Sequence, residues 1–153
     1  MLMTFIYPTV SYCCETWTMG TAERNRLDTW WMKLLRRVRG VTKRDKMRSR
    51  EIHKQLRTTT MSTMIEERQL RYLGHIMRYP DQRWVKYMLT AERPKQKKKG
   101  RGNNWKKQME KLLDKHGLTL KMTKCKKSWR TRLAQIFERG TTSKDKQMQK
   151  VNT

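Results

Sequence analysis

Apolar residues along this chain recur at three- and four-residue spacing, and nowhere do they alternate with polar ones over the length a strand needs. That periodicity commits the chain to helices, and a scarcity of large aliphatics limits what each helix can bury. Leu, Ile, Val and Phe make up about one residue in six, below the roughly one in five at which a highly charged chain tends to stay disordered. Twelve methionines and six tryptophans add apolar volume that this count misses. The expected fold class is therefore all-α: small amphipathic helices, loosely packed, with basic linkers and a frayed C-terminal tail. A large enzyme with a deep core is excluded.

The clearest stripe is Leu27, Trp30, Trp31, Leu34, Leu35 and Val38, with Trp30 and Leu34 expected on its buried side. Thr21 is placed to cap its start and Gly40 to end it in the left-handed conformation. Arg36, Arg37 and Arg39 complement the dipole at its C-terminus. A short helix is expected from Ser49 through Arg57 around Ile52 and Leu56, broken by Thr58, Thr59 and Thr60. Thr63 and Glu66 form a T-x-x-E capping box for a helix through Ile65, Leu70, Leu73, Ile76 and Met77 that stops near Tyr79, before Pro80. Gly74 in its middle costs about 1 kcal/mol against alanine, so something is expected to pack closely there.

A shorter apolar patch follows at Trp84, Val85, Met88 and Leu89, and then a basic linker. Asn104 opens a helix carrying Trp105, Met109, Leu112 and Leu113, with Gly117 as its stop. The last helix uses Cys125, Trp129, Leu133, Ile136 and Phe137 and ends at Gly140. The resulting blocks are a helical region (1–91), a basic linker (92–102), a C-terminal helical pair (103–140) and a disordered tail (141–153).

Charge sets the function class. Lys and Arg number 38 against 13 Asp and Glu, a net charge of +25 over 153 residues. The obvious partner is a polyanion, nucleic acid before an anionic membrane surface. Residues 1–19 carry one acid, Glu15, and no base. The basic character thus belongs to the body of the domain. That first segment, with Phe5, Ile6, Val10, Tyr12 and Trp17, reads as a stump that needs covering, as if the chain began partway through a larger structure.

The basic residues gather in runs. Arg36, Arg37, Arg39, Lys43, Arg44, Lys46, Arg48 and Arg50 crowd one helix end and its following loop. Lys95 to Arg101, with Lys97, Lys98, Lys99 and Arg101 beside glycines, form a second cluster and the first choice for phosphate contact. Lys121, Lys124, Lys126, Lys127, Arg130 and Arg132 form a third. Self-repulsion among these runs destabilises the compact chain, and phosphate neutralisation would relieve it. Trp84 and Trp105 flank the second cluster, where they serve either as core residues or as surfaces for bases to stack on.

Catalytic constellations are scarce. Two-metal chemistry needs converging carboxylates, whereas Asp28, Asp45, Asp81 and Asp114 are scattered beside bases. No phosphate-binding G-x-x-x-x-G-K-[ST] loop and no nucleophile elbow occurs. Cys13, Cys14, Cys125, His53, His75 and His116 show no zinc-site spacing, and His75 reads as a packed, hydrogen-bonded histidine. No metal, cofactor or small-molecule substrate is expected, nor a membrane partner, since no run approaches the roughly 20 apolar residues of a span. Three cysteines, two of them adjacent, argue for a reduced compartment rather than a disulfide framework. The apolar start lacks a basic flank and is interrupted by Pro8, unlike a secretory signal.

The order of motifs resembles one family. Tyr12-Cys13-Cys14-Glu15-Thr16-Trp17 is similar to the Y-G-C-E-T-W element that follows the polymerase core in non-LTR (LINE-like, RTE-type) retrotransposon reverse transcriptases. Leu35 to Lys46 resembles their L-R-x-I-x-G-I-x-x-x-D-x. Arg68-Gln69-Leu70-Arg71-Tyr72-Leu73-Gly74-His75-Ile76-Met77-Arg78 is similar to R-x-L-R-W-L-G-H-V-x-R, continued by Pro80, Asp81 and Arg83. Gly100-Arg101 with Trp105 resembles G-R-P-x-x-x-W, and Ser128-Trp129-Arg130 the late D-R-x-x-W-R. The departures are Cys13 for glycine, Gly102 for proline and the loss of the acidic-arginine step before Trp129.

The resemblance covers about residues 7–130 and only the post-catalytic, thumb-like part of the family. The family is an RNA-directed DNA polymerase, but its Y-A-D-D element has no counterpart here. What the resemblance implies is a non-catalytic fragment that grips template RNA or an RNA/DNA primer-template, with the missing polymerase core as a further partner. Nuclear or cytoplasmic localisation follows from the same source. Two other readings stand beside it: one part of an active polyprotein with an upstream palm, and a decayed, non-functional open reading frame.

Overall fold

The structure, a computed structural model, describes residues 2–91 and 104–149. Among these the chain forms seven α-helices and no strand, the all-α class the periodicity predicts. They are α1 (Tyr7–Val10), α2 (Thr21–Arg39), α3 (Ser49–Gln55), α4 (Met61–Met77), α5 (Trp84–Thr90), α6 (Trp105–Lys115) and α7 (Lys126–Gln149). The chain groups into two compact units that do not follow chain order: Met1–Thr18 with Arg68–Ala134, and Met19–Glu67 with Gln135–Thr153.

In the unit built on α2 and α3, local stereochemistry sets the helix ends. Gly40 takes φ 72° and closes a Schellman turn, Val41 N donating to Arg36 O (3.0 Å) and Gly40 N to Arg37 O (3.1 Å). α3 ends in the same motif, Thr58 N to His53 O and Arg57 N to Lys54 O, but there the left-handed position, φ 49°, is held by Arg57. The core consists of Trp31, Leu35, Ile52, Met61 and Ile65, and the Trp31 indole donates to Thr59 O at 3.0 Å. α4 starts in a polar cap. Thr60 Oγ1 accepts from Thr63 N, and Asp28 of α2 accepts from both the backbone N (2.8 Å) and the hydroxyl (2.6 Å) of Ser62.

Three expectations are corrected here. Trp30 is 40% exposed and Leu34 half-buried. A stripe of six apolar positions covers more helix surface than one neighbour can bury, and the face carrying Trp31 and Leu35 wins because the Trp31 N–H finds a carbonyl. The cap of α2 is Gly20, not Thr21. The cap of α4 lies three residues upstream of the T-x-x-E box, because Glu66 instead pairs with Arg24 at 2.5 Å.

In the other unit, Leu70, Leu73, Ile76, Met109, Leu112, Leu113, Leu118, Trp129 and Leu133 form the core, with Cys14. Asn104 caps α6 by accepting from Lys106 N at 3.0 Å, and Gly117 (φ 61°) ends it. Gly74 packs directly under Trp129, the close neighbour its position predicts. The N-terminal segment is not an uncovered stump. Leu2–Ile6 winds as a wide π-type turn into α1, and Ser11 and Cys14 are fully buried. Gln69 Nε2 donates to Cys14 O (3.2 Å) and Trp17 O (2.9 Å), Arg68 binds Glu15 and Ser11, and the Trp105 indole donates to Glu15 O. Phe5 and Tyr12 remain exposed as expected. What composition missed is that hydrogen bonds to this segment's backbone carbonyls and polar side chains help to anchor it.

α7 does not stop at Gly140. Its backbone is helical as far as Gln149. A helix-interior glycine costs only about 1 kcal/mol, and the Lys- and Gln-rich sequence beyond it is helix-compatible.

Candidate nucleic-acid interface

The basic residues singled out from the sequence divide by what their side chains already do. At the C-terminus of α2, Arg36 is half-buried, and its guanidinium donates to Thr42 O (3.4 Å) and Met47 O (3.1 Å). It therefore staples the following loop. Asp45 closes the same loop by accepting from the backbone N (2.6 Å) and hydroxyl (3.0 Å) of Thr42, and these two bonds hold its carboxyl below the usual range. Arg39 donates to Gln55 Oε1 at 2.7 Å. Arg37, Lys43 and Arg44 point outward. Arg36, Arg37 and Arg39 lie in the last turn of α2, where a helix C-terminus favours positive charge, so part of this cluster has a purely structural explanation.

The opposite holds at the start of α7. Lys126, Lys127 and Arg130 are exposed and share one side of the helix at three- and four-residue spacing. Lys126 and Lys127 sit in the first turn of α7, where cations are unfavourable, and Arg130 follows one turn on. The first turn contains no acid, and no carboxylate among the described residues pairs with them. Trp129 and Leu133 anchor the helix in the core, so the backbone that carries these cations is held in place.

α6 repeats the pattern, and sequence reading missed it. Lys106 and Lys107 occupy its first turn, again without an acid. The signal was present: two lysines directly after an N-capping asparagine, at the wrong end of the dipole. Met88, Ala91, Asn104, Lys106, Lys107 and Glu110 line a cleft of about 230 Å³ beside them. Lys97, Lys98, Lys99 and Arg101 lie outside the described residues.

The aromatic candidates part company. Trp105 is half-buried, packs edge-on against Tyr72 at 6.2 Å and spends its N–H on Glu15 O at 2.8 Å. Trp84 is 74% exposed and is no core residue. His75 is exposed too, its Nε2 2.8 Å from the Tyr79 hydroxyl; it is hydrogen-bonded but not packed away.

Several groups that could carry chemistry are engaged or buried, while Cys13 and Cys125 are free and exposed. Asp28 caps α4, Asp45 closes a turn, and Asp81 pairs with Lys86 at 2.6 Å. Cys14 is fully buried, and burial pushes its thiol up, away from the reactive thiolate. Among the described residues no three His, Cys, Asp or Glu side chains are grouped to hold a metal ion. No helix among them is long and apolar enough to cross a membrane. Compared with family models, with curated proteins and with solved structures, the chain finds no match.

Proposed function

We propose that this chain is a non-catalytic nucleic-acid-binding domain that grips RNA or an RNA/DNA primer-template through its basic helices, in the manner of the post-catalytic region of a non-LTR retrotransposon reverse transcriptase. The observation that carries the reading is unopposed charge in unfavourable places. A net +25 includes exposed lysines in the first turns of α6 (Lys107) and α7 (Lys126 and Lys127), with no acid in either first turn. Such an arrangement lowers the stability of the free chain and is relieved when phosphates neutralise it. Asp28, Asp45 and Asp81 are taken up in structural bonds, and the motif order supports the family.

The test is binding of a labelled RNA–DNA hybrid across a salt series. Affinity should fall linearly on a log–log plot, with a slope of about −0.9 per duplex phosphate neutralised. Unrelated sequences should bind alike, because backbone contacts carry no base information. A chain that fails to bind at about 50 mM salt, where phosphate contacts are strongest, is not a nucleic-acid-binding protein.

A further inference from the structure

α5 buries none of its residues. Trp84 is 74% exposed, Val85 45%, Tyr87 55% and Met88 53%, so this short helix turns a row of large apolar side chains outward. Polar struts hold it in place. Lys86 Nζ donates to Tyr79 O at 2.8 Å and pairs with Asp81, while the Arg83 guanidinium lies 4.6 Å above the Tyr79 ring. The helix is thus fixed without using its aromatic face.

We propose that α5 is a stacking platform for unpaired nucleobases, with Trp84 and Tyr87 receiving bases and Lys106 and Lys107 taking the phosphates of the same strand. This rests on the nucleic-acid reading above and adds to it a single-stranded specificity. The two rings meet edge to face, centroids 5.8 Å apart and planes at 88°. In such a pair neither ring covers both faces of the other, and both rings are exposed here. Bases stacked on perpendicular rings cannot lie parallel to each other, so the strand must turn between them. A continuous duplex stack does not allow that turn, whereas a single strand does.

Charge selects this occupant over the other things an apolar face could bind. Met88 shares its cleft with Lys106 and Lys107, and the acid in that lining is Glu110. Asp81 is already neutralised by Lys86. A second copy of the chain would bring another +25 against this one, while a strand of phosphates brings the complementary sign. Aromatic faces flanked by cations are the general means of holding single strands without sequence preference.

The test compares the full chain with its Trp84→Ala and Trp84→Phe variants. The probes are a labelled oligouridine, an RNA–DNA hybrid of equal length and an abasic strand. Trp84→Ala should weaken oligouridine binding about 5- to 150-fold, the range expected for losing one stacked base. Hybrid and abasic binding should stay unchanged, as should the salt slope. Trp84→Phe should restore most of the loss. Because Trp84 lies on the surface, circular dichroism should not distinguish the variants.

Equal weakening on all three probes overturns the proposal, and so does an unchanged oligouridine affinity. It is likewise overturned by a wild-type chain that self-associates in sedimentation and is made monomeric by Trp84→Ala, which would assign the face to a second copy. Salt-dependent wild-type binding that ignores Trp84 removes the platform and leaves the proposed function standing. A wild type that binds none of the probes removes both.

Discussion

The indole of Trp129 occupies the space that a side chain at Gly74 would need. A Cβ built there would lie 2.6 Å from Trp129 Cδ1, and the ring cannot retreat, because its N–H donates to Leu70 O at 3.2 Å. In an open helix position, Gly→Ala gains about 1 kcal/mol. Here the sign should reverse. Gly74→Ala is expected to destabilise by about 1–3 kcal/mol through overpacking, read as a lower urea midpoint. A stabilised variant would mean that the indole does not sit there.

Arg57 occupies the left-handed position that ends α3, a place glycine fills at lower cost. For a non-glycine residue that conformation costs roughly 1–2 kcal/mol. Arg57→Gly should therefore stabilise the chain by about 1 kcal/mol, whereas Arg26→Gly inside α2 should cost about 1 kcal/mol. Thermal denaturation of the two variants should move in opposite directions; a common direction refutes the turn.

His53 gives the protein a pH dependence of definite sign. Its ring is half-buried, with Nδ1 3.3 Å from the Thr58 hydroxyl. Burial pushes its pKa below the ordinary histidine value, opposed in part by the Asp28 carboxylate. Below about pH 6.5 the unfolded chain then takes up a proton that the folded chain resists. This contribution to stability is complete above about pH 6.5, declines as pH falls towards the folded-state pKa, and levels off below it. His53→Gln should flatten the urea midpoint between about pH 7.5 and 5. A wild-type midpoint that rises on acidification over that range contradicts the burial.

The two described basic clusters should respond oppositely to neutralisation. Replacing Lys126, Lys127 and Arg130 with glutamine, whose helix propensity is close to theirs, removes two cations from the first turn of α7 and one just beyond it. It should lower the salt slope of binding by up to about 3 while raising stability by a few tenths to about 1 kcal/mol. Replacing Arg36 and Arg39 removes the groups that tie down the loop and Gln55, and stability should fall. Equal stability changes in the two variants would show that helix polarity does not matter at these sites.

Helix positions were legible because their signals are local. Gly40, Asn104 and Gly117 act within a few residues of themselves, and the crowding at Gly74 follows from a glycine where a helix does not want one. The face that α2 buries was not legible, since Trp30 and Trp31 are equivalent until Thr59 O accepts from one of them. The anchoring of residues 11–17 was equally hidden, because it depends on side chains 50 and more positions away. Of the candidate interface, the sequence shows where cations lie. It does not show which are spent, as Arg36 is on Thr42 and Met47.

The bond from the Trp105 indole to Glu15 O spans 90 positions, and this has a consequence for the order of synthesis. A ribosome adding about 5–20 residues per second leaves about 5–20 s between making one partner and the other. Through that interval the emerging chain presents Cys14, which the finished fold buries, and Trp17, which it partly covers, with neither α6 nor Trp129 yet made. The segment docked by Gln69 and Trp105 in the finished fold is thus, during translation, the stretch most in need of a chaperone.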